Sequence, residues 1–271
     1  SAVLGEDIEK LNIVSANDMS LYMPNVRFDD DFLSIRGIGS TIGFAGAESS
    51  VSMFLDGVHQ NGTLAATQSF VDVERVEVLR GPQGTLFGKN TIAGVINVIS
   101  KDPSDDWDGY IGGSAGDHHL LVAKGAIGGP IIPDLLNFRL AYISNEEDGY
   151  AINTAYDDIP TSDPNGPARD QEVLRAKLQF PDLLNGVLTL TFEHASGAVG
   201  GGGVEVISGP ESLLPEFRQY DPDYTYGLDY RYSTDNPEQY EQEWNSGGIR
   251  YEFGKDWGVK LIGVYSEATG S

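Results

Sequence analysis

Residues 73–100 read VERVEVLRGPQGTLFGKNTIAGVINVIS, and this stretch decides how the rest of the chain is read. VERVEV alternates apolar and charged residues at period two, which predicts a strand burying Val73, Val76 and Val78 on one face. The alternation slips between Glu74 and Val76, so a bulge is expected there. Gly81, Pro82, Gly84 and Gly88 follow, and are expected to supply the fixed and positive φ values of a compact turn. AGVINVIS then predicts a second apolar strand, in which Ala93 and Gly94 are small enough to let another backbone approach closely.

Composition narrows the function classes. The 271 residues carry a formal net charge of −24. Such an acidic chain is repelled by phosphates, and no basic patch with interleaved aromatics reverses that, so nucleic acid is excluded as a partner. The absence of cysteine removes disulfides, thiolate chemistry and the usual zinc frameworks. No apolar run of about 18 residues is present, which excludes a transmembrane helix but not a membrane β-barrel, whose strands alternate. SAVLGEDIEK at the start lacks the pattern of a signal peptide, so the chain is read as mature or truncated.

Outward from the opening stretch, two regions differ in grammar. Residues 1–103 predict a small mixed α/β domain. GEDIEKLN has acids early and Lys10 late, the order a helix dipole favours. NDMSLYM predicts a second short helix, capped by Asn17 or Ser15 and ended by Pro24. FLSIRGI and VSMFLDGV predict short strands. Residues 104–271 become alternating segments of about ten residues. In LNFRLAYIS, Phe138, Leu140 and Tyr142 oppose Asn137 and Arg139. In VLRAKLQF, Leu174, Ala176, Leu178 and Phe180 oppose Arg175, Lys177 and Gln179. In VLTLTFEH, Leu188, Leu190 and Phe192 oppose Thr189, Thr191 and Glu193. With DGYIGGSAGD, HLLVAKGAIGG, EQEWNSGGIRYEF and DWGVKLIGVYSE, roughly seven strands of membrane-spanning length are predicted. Long links follow Asn145 and His194, whereas only PDLLNG follows Phe180 and GKD follows Phe253. Alternating long and short links favour a barrel with loops at one rim and tight turns at the other.

The motifs MPNV (23–26), SIRGIG (34–39), FLDGV (54–58) and the stretch from Val73 occur in the order of the plug domains of TonB-dependent outer-membrane receptors, which the whole chain resembles. The resemblance implies a mixed α/β plug domain at 1–103. Antiparallel transmembrane β-barrel strands follow at 104–271, an incomplete barrel where relatives carry 22 strands around the plug. It implies import of a scarce nutrient, an iron–siderophore complex first among them, with no chemistry done on the cargo. An inner-membrane TonB complex and outer-membrane lipid are the implied partners, and the cell outer membrane the location. Arg36 and Arg80 match plug arginines that pair with wall carboxylates in relatives; within the plug alone they would complete local networks. Asp56 and Gly57 match the plug's DGV turn, and Gly81, Pro82, Gly84 and Gly88 its other turn. The family's TonB box is absent from these residues, as is a terminal strand ending in an aromatic, so the chain is read as a fragment.

Other signals receive plainer readings. TLFGKNT lacks the spacing and the Ser or Thr of a phosphate loop. Asp29, Asp30 and Asp31 lack the glycine and distal glutamate of a calcium loop. His118 and His119 are adjacent, and in an extended segment they point apart. No catalytic constellation, cofactor site or metal site stands out. The segment DPDYTYGLDYRY is the candidate ligand-contact loop, through Tyr220, Tyr224, Tyr226, Tyr230 and Tyr232, whose rings suit stacking on a sugar or an aromatic siderophore; an aromatic girdle is the other reading. Against the importer of an iron chelate stand an importer of a carbohydrate or other non-iron nutrient, a β-rich surface binding protein or adhesin, and an acidic secreted enzyme.

Overall fold

Alternation from Val73 produces a central hairpin in the first region, and the other plug strands assemble on it. The computed structural model describes residues 2–11, 13–14, 16–29, 32–41, 50–60, 70–88, 90–148, 152–153, 169–199, 215, 218, 231–232, 240–253 and 259–270. In chain order the first region comprises β1 (Ala2–Leu4), α1 (Gly5–Lys10), α2 (Ala16–Tyr22), β2 (Val26–Asp29), β3 (Phe32–Ile35), β4 (Ile38–Thr41), β5 (Val51–Leu55), β6 (Val58–Gln60), β7 (Val73–Arg80), α3 (Gly84–Phe87) and β8 (Gly94–Ser100). One sheet has the order β1-β7-β8-β5-β6, and β2-β3-β4 form a separate meander. Only β5 and β8 pair in parallel within the five-stranded sheet.

The expectations for the β7–β8 hairpin hold in detail, and two others in this region do not. Val73, Val76 and Val78 are buried, and the β7–β8 register shifts between Val73 and Arg75, leaving Glu74 as the bulge. A Cβ on Gly94 would collide with the Leu79 carbonyl and with Ile35, so this glycine is required for the close approach of the two strands. Gly81 and Gly88 take positive φ values of 87° and 80°. Gly84 departs from expectation: it opens the one-turn helix α3 and has open space around it. A single turn of helix needs only αR backbone, so no glycine is demanded there. Helix α2 starts at Ala16, so Asn17 lies within it and does not cap it; Ser15 lies outside the described residues.

The second region is a seven-stranded antiparallel sheet ordered β17-β16-β14-β13-β11-β10-β9. Its strands are β9 (Asp108–Ala115), β10 (Leu121–Ile132), β11 (Leu136–Glu147), β13 (Arg169–Leu183), β14 (Gly186–Val199), β16 (Tyr240–Phe253) and β17 (Val259–Gly270). Two short strands, β12 (Ile152–Asn153) and β15 (Arg231–Tyr232), pair in parallel and join the two long connections of one rim. The link after Phe180 is tighter than its sequence suggests. Strands β13 and β14 continue past a bulge to Leu183 and Gly186, leaving Leu184 and Asn185 as a two-residue turn with φ 53° and 61°. Positive φ at both positions is the type I′ geometry that matches strand twist.

Burial shows which face of this sheet is inside. Asn137, Arg139, Arg175, Lys177, Thr189 and Glu193 are each at most 4% exposed, whereas Leu140, Leu178, Phe192, Ile249 and Leu261 are 39–58% exposed. A water-soluble antiparallel sheet buries its apolar face. Here the polar face is covered by the plug and the apolar face looks outward, the arrangement of a membrane barrel. Among the described residues no helix is long and apolar enough to cross a membrane.

Candidate functional site

The polar inner face of the wall and the acidic side of the plug meet in a continuous network. Alternation on β11, β13 and β16 places Arg139, Arg175, Lys177 and Arg250 inward, because their neighbours Leu140, Leu178 and Ile249 occupy the outward positions. Plug residue Asp72 receives both Nε and Nη2 of Arg139, the latter at 2.7 Å, and both side chains are 3% exposed. Nη1 of Arg139 donates to both carboxylate oxygens of Asp108 at 2.9 Å. Arg175 donates to Glu193 at 2.6 Å and to the Val71 carbonyl at 2.8 Å. Lys177 lies 3.2 Å from Asp56 and 2.9 Å from Asp102. Asp102 also pairs with Arg250. Buried charges are tolerable only when paired and hydrogen-bonded, and each of these is.

An apolar contact lies beside the ions. Val14 and Val71 of the plug pack with Val122, Ala126, Ala141, Ile143 and Val173 of the wall. The plug is therefore held along β10, β11 and β13 by both packing and charge.

Asp56 sits at the tip of the β5–β6 hairpin, where it and Gly57 have φ values of 51° and 87°. Its carboxylate accepts from the Ser100 backbone N–H at 2.9 Å and from the Ser100 hydroxyl at 2.5 Å. Burial pushes its pKa up, but Lys177, Arg175 and the two Ser100 hydrogen bonds outweigh burial and hold it below the ordinary value. The turn motif is thus also a contact with the wall.

Arg36 and Gly37 form the corresponding turn of the β3–β4 hairpin, with φ values of 55° and 77°. Arg36 is exposed there, and among the described residues no wall carboxylate reaches it. Arg80 ends β7 and donates through Nη2 to the Pro24 carbonyl at 3.1 Å, a contact within the plug. Pro82 follows Gly81 in the turn that leads to α3. Tyr220, Tyr224, Tyr226 and Tyr230 lie outside the described residues, and only the backbone of Tyr232 is described, in β15. His119 pairs with Asp148, and the described residues hold no cluster of three metal-ligating side chains.

Sequence reasoning passed over the residues that carry the network: Asp72, Asp102, Arg139, Arg175, Lys177, Glu193 and Arg250. A signal was present. The chain has only 17 lysines and arginines against 41 acids, and several of those scarce cations stand mid-strand between apolar residues.

A plug packed against a wall that is polar inside and apolar outside defines the class: a plug with part of an outer-membrane-type barrel. Residues 1–95 match the family model described as TonB-dependent Receptor Plug Domain. The pesticin receptor of Yersinia enterocolitica is 29% identical over 161 residues, 57% of this chain and 24% of that protein. The vitamin B12 transporter BtuB of Vibrio vulnificus is 27% identical over 174 residues, 61% of this chain and 27% of that protein. The crystal structure of the ferric yersiniabactin uptake receptor FyuA from Yersinia pestis superposes with a TM-score of 0.81 at 21% identity, covering 100% of this chain and 40% of that one. Residues 1–95 are thus a TonB-dependent receptor plug domain, and the chain as a whole has the fold of such a plug followed by wall strands of the barrel. It spans about a quarter of the length of the curated relatives it matches.

Proposed function

We propose that the receptor carrying this chain sits in the outer membrane of a Gram-negative cell and imports a scarce nutrient, an iron–siderophore complex being the first choice of cargo. The observation that carries the reading is the buried plug–wall network: a domain sealed into a barrel by Asp72–Arg139 and its neighbours blocks passive flow and must be displaced for passage. No step in this reading alters the cargo chemically, so the protein is a transporter and not an enzyme. Energy for displacement comes from an inner-membrane TonB complex, and lipid covers the outward face of the strands. The domain division falls at 103/104, between the end of β8 and the start of β9. Arg36 and Arg80 face wall strands other than the seven described, and the tyrosines from Tyr220 to Tyr232 contact cargo. The resemblance to an uptake receptor for ferric yersiniabactin supports iron; that to a vitamin B12 transporter supports a non-iron nutrient as second reading.

The test is uptake by cells expressing the receptor, using radioactive iron as ferric yersiniabactin and as a ferric catecholate, with cobalamin as the third cargo. Uptake of an iron chelate that stops with a protonophore is expected. Uptake that survives collapse of the proton gradient, or none of any cargo, refutes the reading.

A further inference from the structure

The apolar outward face of the wall does not stop where its strands end. The β10–β11 and β13–β14 turns lie at the same rim, and each contains the pentapeptide PDLLN, at 133–137 and 181–185. Leu135 is 54% exposed and Leu184 84%, with Ile131, Ile132 and Leu183 exposed beside them. They continue the outward band of Leu140, Leu178 and Phe192 beyond the paired residues. Strands β10, β11, β13 and β14 are paired on both sides, so this exposure is that of an outer face and not of a sheet edge. The tight turn at the opposite rim, between β9 and β10, exposes Asp117, His118 and His119 instead. Leucine at the tips is therefore a property of one rim, and short turns in this chain do not require it.

Turn chemistry does not account for Leu184. Its φ of 53° suits asparagine or glycine better than leucine. The backbone of the same turn is provided for without water. The Tyr251 hydroxyl is shared between the carbonyl oxygens of Leu183, at 2.9 Å, and Leu184, at 3.1 Å, and such protein partners are needed where lipid displaces water. Tyr251 belongs to an aromatic level on the outward face. It stacks on Phe253, while Trp107 covers Gly129 and meets Phe138 edge-on. Rings with one apolar and one polar end mark the boundary between acyl chains and headgroups. The Leu183–Gly186 pair lies two residues past the Phe180–Leu188 pair, roughly 7 Å of strand, which is about the thickness of the headgroup layer.

We infer that the β10–β11 and β13–β14 turns are lipid anchors: Leu135 and Leu184, with Ile131, Ile132 and Leu183, enter the boundary between headgroups and acyl chains on the short-turn side and fix the depth at which the wall sits. The partner is a lipid surface, held through apolar area. Neither turn contains lysine or arginine, so attraction to anionic headgroups has no part in it. This inference rests on the membrane location in the transport reading and extends the lipid contact from the strand faces to the turns.

The experiment uses the whole receptor in phosphatidylcholine vesicles, with and without added phosphatidylglycerol. Leu135→Cys, Leu184→Cys, Leu140→Cys and Asp117→Cys each place a thiol in a chain that has none, and an environment-sensitive fluorophore is attached to it. Two quenchers are compared: nitroxides on the acyl chains near the headgroups, and iodide in the water. Leu140, on the outward face of β11, is the lipid reference and Asp117 the water reference. Labels at Leu135 and Leu184 are expected to be quenched by nitroxide lipid to within about threefold of the label at Leu140. Iodide should quench them at least about fivefold less than the label at Asp117, since an anion does not enter the apolar boundary. Both results should hold in both kinds of vesicle. Iodide quenching equal to that at Asp117, or shielding from both quenchers, overturns the inference. Lipid quenching that requires phosphatidylglycerol overturns it as well. Leu135 does not have a left-handed backbone, so its variant carries the test if Leu184→Cys fails to assemble. A receptor whose label at Leu140 also escapes the lipid quencher refutes the membrane location itself, which separates that failure from failure of the anchors.

Discussion

Replacing Asp72 with alanine tests the dry side of the plug–wall contact. The substitution removes both hydrogen bonds that Arg139 makes to the plug and leaves a guanidinium that is 3% exposed. Breaking a buried pair from one side costs about 3–5 kcal/mol, since the surviving charge is left without its partner. Arg139 keeps Asp108 through Nη1, which places the expected loss at the lower end, about 3 kcal/mol. Hydrogen exchange of the innermost plug amides, such as those of Val76, Val95 and Val98, reads the opening free energy under conditions where closing outpaces exchange. The expected change is about 150-fold faster exchange, the equivalent of that energy. In Asp72→Ala/Arg139→Leu the buried charge is gone, and Asp108, whose side chain is 49% exposed, turns to water. Most of the lost protection should return. A single variant that exchanges like wild type, or a double variant no better than the single, refutes the energetic role assigned to this pair.

Four further outcomes are expected. The folded-state pKa of Asp56 lies below its ordinary value of 3.8, so its stabilising contribution is complete above that value and is lost as pH falls through the lower folded-state value. Plug exchange rates should therefore show no Asp56 contribution to pH dependence between neutrality and mild acid, and Asp56→Asn should abolish part of the acid sensitivity found below the carboxylate range. Leu184→Asn relieves a side chain held at φ 53° and should stabilise the β13–β14 turn by about 1 kcal/mol, read as slower exchange of the flanking amides; faster exchange would contradict the turn geometry. Gly94→Ala forces β7 and β8 apart and should cost more than about 2 kcal/mol by the same exchange measurement. A Cβ on Gly129 would stand 2.7 Å from the Trp107 ring, which packs edge-on against Phe138, so Gly129→Val should expel the indole and change its fluorescence, with no effect on exchange in the plug.

The parts of the fold that were legible in the sequence are those set by local rules. The slip in VERVEV marked a bulge at Glu74 because period-two alternation fails when one residue leaves the ladder. Gly94 announced a close approach because its Cβ would strike another backbone. Gly84 was misjudged because glycine permits positive φ without requiring it. The turn at Leu184–Asn185 was read too long, since nothing local in PDLLNG says that pairing resumes after Phe180.

The candidate site was legible only in part, for a different reason. Alternation set Arg139 opposite Leu140 and Tyr142, and Arg175 and Lys177 opposite Leu178. It is blind, however, to which face meets solvent, lipid or protein, because both faces of a strand obey the same period. Arg36 and Arg80 attracted notice through motif order, Asp56 was read as turn chemistry, and Asp72 drew no reading at all.

From its sequence alone this chain has a glycine-punctuated α/β plug, alternating strands of membrane-spanning length, and links that are short at one rim; each follows from steric and periodic rules acting over a few residues. The inward face of the wall and the pairing of Asp72 with Arg139 across 67 residues of sequence were decided by the tertiary structure. Coulomb attraction and desolvation depend on distance and burial in space, and neither is written in the order of the residues.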